Sequence, residues 1–302
     1  MPSLPSIQQA YSQAVNKTRI VAVMMGGTGG IGAATCRELA TSFKKPKLYI
    51  VGRSESAASR LTRELGAINS SAEVHFIQSE ISLIRNVDEV CLSVAQKESA
   101  IDLLFLTAGI LNPKGRNDAE EGLDKMYSLM HFSRIRAVAN LLPLLKNAAA
   151  KGSPSRVISV LGAGNEGKIF KDGLPIKHNY SLKACSGQGI AMHTLSLEYL
   201  ARGNPDPLKE FIGVLMLLTA PFTMSVRECA ARQLFLITAE AFKAKGGDQP
   251  GSSLAMFRVG PDSEILPESP LVAGYIKDGM MERVWEFTES TFASVLGRDK
   301  GF

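Results

Sequence analysis

The chain has 302 residues, 45% of them apolar and 21% charged, an ordinary globular usage that excludes a peptide hormone, a lone binding module, a fibrous repeat and extensive disorder. The 34 Lys and Arg against 29 Asp and Glu give a net charge of +5, but the densest basic cluster, Lys44, Lys45 and Lys47 around Pro46, is too short for a nucleic-acid stripe and reads as a solvated turn. Four cysteines stand far apart with no C-x-x-C pair, and no apolar run approaches the roughly 20 residues of a membrane span, so a cytoplasmic protein without nucleic-acid or membrane partners is expected.

From Arg19 onward, short apolar runs alternate with helical patterns. Strands are expected over 19–25, 47–51, 73–78, 102–106 and 156–160, with helices over 31–43, 57–65, 87–96 and 181–201 and a long helical pattern over 123–148. Strand and helix in strict alternation imply parallel pairing, hence a doubly wound α/β sheet of Rossmann type in one domain over 1–302, its core at about 19–260. The run 208–218 is ambiguous. Asp206 as N-cap and Pro207 at the first helical position favour a helix, whereas so apolar a stretch also suits a buried strand. As a helix it would cost the sheet its usual sixth strand. A surface loop is expected at 246–253, a last strand at 254–259, and an amphipathic helix at about 278–296 that caps the domain or meets a partner subunit.

The first strand runs into Met25-Gly26-Gly27-Thr28-Gly29-Gly30-Ile31-Gly32, and a helix opens at once. Glycines there permit a tight turn, close approach of a diphosphate to backbone N–H groups, and close helix-on-strand packing, while the helix N-terminus faces the phosphates. Dinucleotide binding is the expected role. The end of the second strand, where an acidic residue would hold an NAD ribose, carries Gly52-Arg53-Ser54 instead. A guanidinium suits a 2′-phosphate, so NADP(H) is the expected cofactor, with Arg53 as a solvated loop charge the competing reading.

The spacing of Gly26, Gly30 and Gly32 resembles the TGxxxGxG turn of the short-chain dehydrogenase/reductase family, with Met25 in place of the threonine. Glu80-Ile81-Ser82 resembles the family's acidic adenine-contacting segment and Thr107-Ala108-Gly109 its NAG motif. The stretch 121–145 is similar to the dimer-forming helix of the retinol-dehydrogenase-like branch, and the wording overall, from about 19 to 240, resembles filamentous-fungal members, some of which serve secondary metabolism. The resemblance implies an NADP site built from Gly26, Thr28, Gly30, Ile31, Gly32, Arg53, Glu80, Ala108 and Gly109, a small-molecule substrate, and room for a homodimer.

The family exchanges a hydride at the nicotinamide while a tyrosine passes a proton to or from the substrate oxygen, helped by a lysine, a serine and an asparagine. On that resemblance Tyr180 is the tyrosine, and Lys183 stands one residue before the lysine position, which is Ala184. The serine falls at Gly162 and the asparagine at Met130, so Ser159, Asn165 and Glu166 are the nearby substitutes. The resulting expectation is an NADP(H)-dependent interconversion of ketone and secondary alcohol on a small apolar metabolite. A redox-silent isomerase, dehydratase or cyclase and a non-catalytic NADP-binding protein stay open. His131 and His178 lie near enough in sequence to be site candidates, though packed and loop positions are their default. No metal is expected, since His75 and His193 have no second ligand at metal spacing.

Overall fold

The computed structural model describes residues 19–153, 155–203, 212–218, 224–239 and 254–297, the segments 212–218 and 254–255 by their backbone alone. The cap expected at Asp206 and Pro207 and the loop expected at 246–253 lie outside these residues.

Seven described strands, β1 (Arg19–Met25), β2 (Lys45–Gly52), β3 (Glu73–Gln78), β4 (Leu103–Leu106), β5 (Arg156–Leu161), β6 (Ile212–Leu218) and β7 (Leu254–Val259), form one sheet in the order β3-β2-β1-β4-β5-β6-β7. Every pair is parallel. Alternation along each strand divides the core. Val21, Val23, Met25, Leu104, Leu106 and Val157 face one side, whereas Ile20, Ala22, Met24, Leu103, Phe105 and Ile158 face the other. Both faces are apolar, so both need helices.

One side carries α1 (Gly30–Ser42), α2 (Glu55–Ile68) and α7 (Val226–Thr238). The other carries α3 (Ile84–Ala95), the short α4 (Lys125–Tyr127), a π turn at Ser128–Phe132, α5 (Ser133–Ala150), α6 (Leu182–Arg202), α8 (Pro270–Lys277) and α9 (Met280–Leu296). The helical pattern expected over 123–148 is thus a helix interrupted by a π turn. The C-terminal helix caps the domain. Trp285 stacks on Tyr199 of α6 with ring centroids 4.6 Å apart, and Phe292 meets Phe132 edge-on at 6.2 Å.

Two expectations are corrected. The run favoured as a helix is strand β6 over Ile212–Leu218, paired with β5 and β7, so the sheet keeps its sixth strand. An interior parallel strand needs no polar alternation, which is why its sequence mimics a buried helix. The basic cluster is not a solvated turn. Lys45 opens β2, and the Lys47 ammonium bridges Glu73 at 2.9 Å and Glu98 at 2.8 Å.

The chain leaves β1 toward β2 and β3, then returns to add β4 on the opposite side. The crevice between the C-terminal ends of β1 and β4 is therefore the topological switch point, where open α/β sheets place their ligands. No described helix is long and apolar enough to cross a membrane.

Candidate active site

At the switch point Gly26 adopts φ +90°, and a Cβ there would stand 2.5 Å from the Ala108 amide nitrogen. Only glycine satisfies both constraints. Thr107 ties the end of β4 to this turn. Its hydroxyl donates to the Gly26 carbonyl at 3.1 Å, and its amide and that of Ala108 donate to the Met25 carbonyl at 2.8 and 3.1 Å. The asparagine of the usual motif is replaced here by a residue that still closes the β1–β4 junction.

The turn opens on a cavity of about 250 Å³ whose walls include Gly26, Thr28, Arg53, Glu80, Ala108 and Gly109. Gly30, Ile31 and Gly32 are not on its walls; they form the first turn of α1, where Gly32 lies against the Gly26 carbonyl. Wall residues without a sequence signal are Ser79, Ile110 and Leu129.

Most described helix starts carry a side-chain cap or an acidic residue in the first turn; α9, which follows Gly279 uncapped, has Glu282 there. Ser54, Ser181, Ser225 and Ser269 cap α2, α6, α7 and α8, and the Glu121 carboxylate takes the Ile84 and Arg85 amides of α3 at 2.6 and 3.1 Å. Gly29 offers α1 no side-chain cap, and the first turn of α1 has no acidic residue. Uncapped amides at a helix start, beside a glycine cradle, fit a diphosphate.

Arg53 stands at the end of β2, its Nη1 donating to Glu80 Oε2 at 3.1 Å. Burial works against the Glu80 charge, but the Ser82 amide and the Arg53 guanidinium outweigh it and hold the carboxyl below the usual range. A guanidinium with unused N–H groups beside this cavity fits an additional phosphate.

A second, larger cleft of about 890 Å³ opens beyond the end of β5, with Met130, Gly162, Phe170, Lys183 and Ile190 on its walls. Two distant segments build it. The Gly167 amide donates to the Gly187 carbonyl at 2.8 Å, and a Cβ on Gly167 would come within 2.7 Å of Gly187 Cα, so paired glycines let the loop after β5 touch α6. A side chain at Gly162 would begin 2.6 Å from Ile190 Cδ1 and 3.8 Å from Asn165 Nδ2. Ile190 thus fills the space a serine would enter, and Asn165, exposed on the same wall, has the nearest amide.

Tyr180 and Lys183 part company. Lys183 is exposed on the cleft wall. The Tyr180 hydroxyl is buried without a hydrogen-bond partner, and Tyr180 is not among the wall residues. Burial raises its pKa above the ordinary tyrosine range, Cys185 and Asp124 add to that, and the opposing cation is Arg116.

The other candidates are engaged elsewhere. Ser159 accepts from the buried Arg134 guanidinium at 2.7 Å and meets His193 at 2.9 Å, beneath the site. Glu166 is clamped by Arg258 through two hydrogen bonds of 2.7 and 2.9 Å. His131 is fully buried with Nε2 2.8 Å from Thr288 Oγ1, and burial pushes its pKa down to about 3. His178 is an exposed loop residue.

Residues 20–169 match the family profile described as short chain dehydrogenase. An oxidoreductase of Emericella nidulans is 32% identical over 99% of this chain and 100% of its own length. The short-chain dehydrogenase/reductase SAT2 of Stachybotrys chartarum is 34% identical over 82% of this chain and 80% of its own. Among solved structures, the Pseudomonas aeruginosa RhlG/NADP active-site complex matches with a TM-score of 0.58 at 17% identity, over 80% of this chain and 95% of that one. An NADH-dependent reductase complexed with NAD matches with a TM-score of 0.59 at 19% identity, over 85% of this chain and 100% of that one. At such identities the structures establish the fold alone.

Proposed function

The chain belongs to the short-chain dehydrogenase/reductase family, and on that premise we propose that it is an NADP(H)-dependent oxidoreductase interconverting a ketone and a secondary alcohol on a small apolar metabolite, in fungal secondary metabolism. One observation carries the cofactor assignment. A guanidinium, Arg53, stands on the wall of the glycine-lined cavity at the end of β2, where NAD recognition would ask for a carboxylate. Gly26, Thr28, Ala108 and Gly109 would hold the dinucleotide backbone, with Gly30, Ile31 and Gly32 presenting the α1 amides to its diphosphate. Arg53 would take the 2′-phosphate, in competition with its hydrogen bond to Glu80.

When bound, the cofactor supplies or accepts a hydride at the nicotinamide. The chain must then manage one proton at the substrate oxygen. Tyr180 is the proton source in this reading, and Lys183 stands apart from it on the cleft wall. The phenol is protonated at neutral pH, the state a donor needs, while burial makes it a weaker acid than a free tyrosine. Consumption of NADPH with a panel of ketones tests the reading. Tyr180→Phe should lower turnover at least tens-fold, since positioned acid catalysis contributes about 10² or more. Unchanged turnover removes Tyr180 from the mechanism.

A second reading, a redox-silent enzyme on the same fold, is favoured by Ile190 filling the space beside Gly162 and by Met130 on the cleft wall. A product of unchanged oxidation level, formed without nicotinamide turnover, would establish it.

A further inference from the structure

The large cleft has mainly apolar walls, and one of its residues, Leu111, is 74% exposed. Its charges are unbalanced. The carboxylate on its wall, Glu166, is only 2% exposed and neutralised by Arg258 through both oxygens. Lys168 and Lys183 lie on the same walls, and among the described residues neither has a carboxylate partner; Lys168 has only the Phe170 ring, 5.4 Å from its ammonium. Nearby Lys171, in contrast, faces Asp278 at 4.0 Å.

The two ammonium groups belong to segments held together by a fixed contact. Lys183 and Gly187 are four residues apart on α6 and so share a face. Gly167 abuts Gly187, and Lys168 follows it directly. The close approach of the two glycines therefore brings both lysines to one opening. An ammonium at the rim of a low-dielectric cleft attracts an anion more strongly than one on an open surface.

Resting on the reductase reading for the identity of the substrate cleft, we propose that this cleft binds an apolar molecule bearing a carboxylate, with Lys168 and Lys183 holding the carboxylate and the apolar walls covering the remainder. The substrate is then an amphiphilic acid whose reacting carbonyl lies along its apolar part.

The test is calorimetric titration of the full chain with dodecanoate, methyl dodecanoate and dodecylammonium, each below its micellar concentration. Dodecanoate should bind at least tenfold more tightly than the ester, with affinity falling as salt is raised, and dodecylammonium most weakly. The Lys168→Gln, Lys183→Gln double variant should bring dodecanoate down to the affinity of the ester while leaving the ester itself unchanged, which also reports an intact cleft. The Lys168→Arg, Lys183→Arg pair should retain the preference. Equal affinity for acid and ester, binding of neither, or an acid preference that survives the double Gln variant overturns the proposal. NADPH is titrated separately into the same preparation. Its failure to bind counts against the reductase reading, whereas the carboxylate preference is decided by the ester comparison.

Discussion

Arg53 and Glu80 meet on the wall of the glycine-rich cavity, Nη1 to Oε2 at 3.1 Å, with the arginine side chain 64% exposed. So exposed a pair contributes little stability, and its consequence is for ligand choice. A 2′-phosphate competes with Glu80 for the guanidinium. Hydrogen bonds to charged groups are worth roughly 1.5–3 kcal/mol, so Arg53→Gln should weaken NADPH binding by about ten- to a hundredfold and leave NADH within about threefold. Glu80→Gln frees the guanidinium and should raise the ratio of NADPH to NADH affinity. Fluorescence titration of both nucleotides against both variants checks this, and a ratio unmoved by either substitution contradicts it.

The separation of Tyr180 from Lys183 gives a second prediction. If the phenol supplies the proton, Tyr180→Phe should lower kcat at least tens-fold with little change in KM. Lys183→Gln should then cost less in kcat and more in KM, because its ammonium is already on the cleft wall. The opposite order, with Lys183→Gln the more damaging to kcat, would transfer the proton to the lysine. Steady-state kinetics on both variants decides between them.

The strands at 19–25, 73–78 and 254–259 could be placed from apolar runs alone, and the glycine turn and Arg53 from spacing, whereas Glu80, Ala108 and Gly109 rest on the family resemblance. These features depend on local backbone geometry, which leaves a local trace. The segment 212–218 went the other way because an interior parallel strand and a buried helix look alike in so apolar a run. The family resemblance pointed to several walls of the large cleft, Met130, Gly162, Asn165, Glu166 and Lys183, but not to how they are brought together. Ile190 opposite Gly162, and Lys168 near the face of Lys183, depend on a contact between residues 167 and 187, and a glycine within a helix was the sole hint. The direction of the Tyr180 phenol likewise follows from Asp124 and Cys185, which no motif connects to it.

Two buried imidazoles make stability depend on pH. Burial depresses the pKa of His131 to about 3 and holds that of His193 well below its ordinary value. The unfolded chain protonates these residues near pH 6.5, so it gains protons the folded state refuses, and stability falls as pH drops below about 6.5. Each imidazole contributes roughly 1 kcal/mol per pH unit in that window. The urea midpoint should therefore fall clearly between pH 7.5 and pH 5. His131→Leu should flatten that slope, and it leaves the Thr288 hydroxyl donating to the Val284 carbonyl at 2.7 Å. A midpoint constant across the range would contradict the prediction.

The Glu166–Arg258 clamp joins the loop after β5 to β7, with side chains only 2% and 11% exposed. Removing one member leaves a buried charge without its partner, and Arg258→Met should cost about 3–5 kcal/mol of unfolding free energy. Adding Glu166→Gln should recover part of that loss, because the orphaned carboxylate is then gone. Denaturant unfolding of the two variants gives the comparison. A double variant less stable than the single one would show that the charge pair is not the source of the cost.

Calorimetric titration of the intact chain with NADPH, beside NADH under the same conditions, addresses the cofactor assignment without any assumption about the substrate. One saturable site per chain with tighter binding of NADPH is the expected result. No saturable uptake of either nucleotide, or a clear preference for NADH, would contradict it.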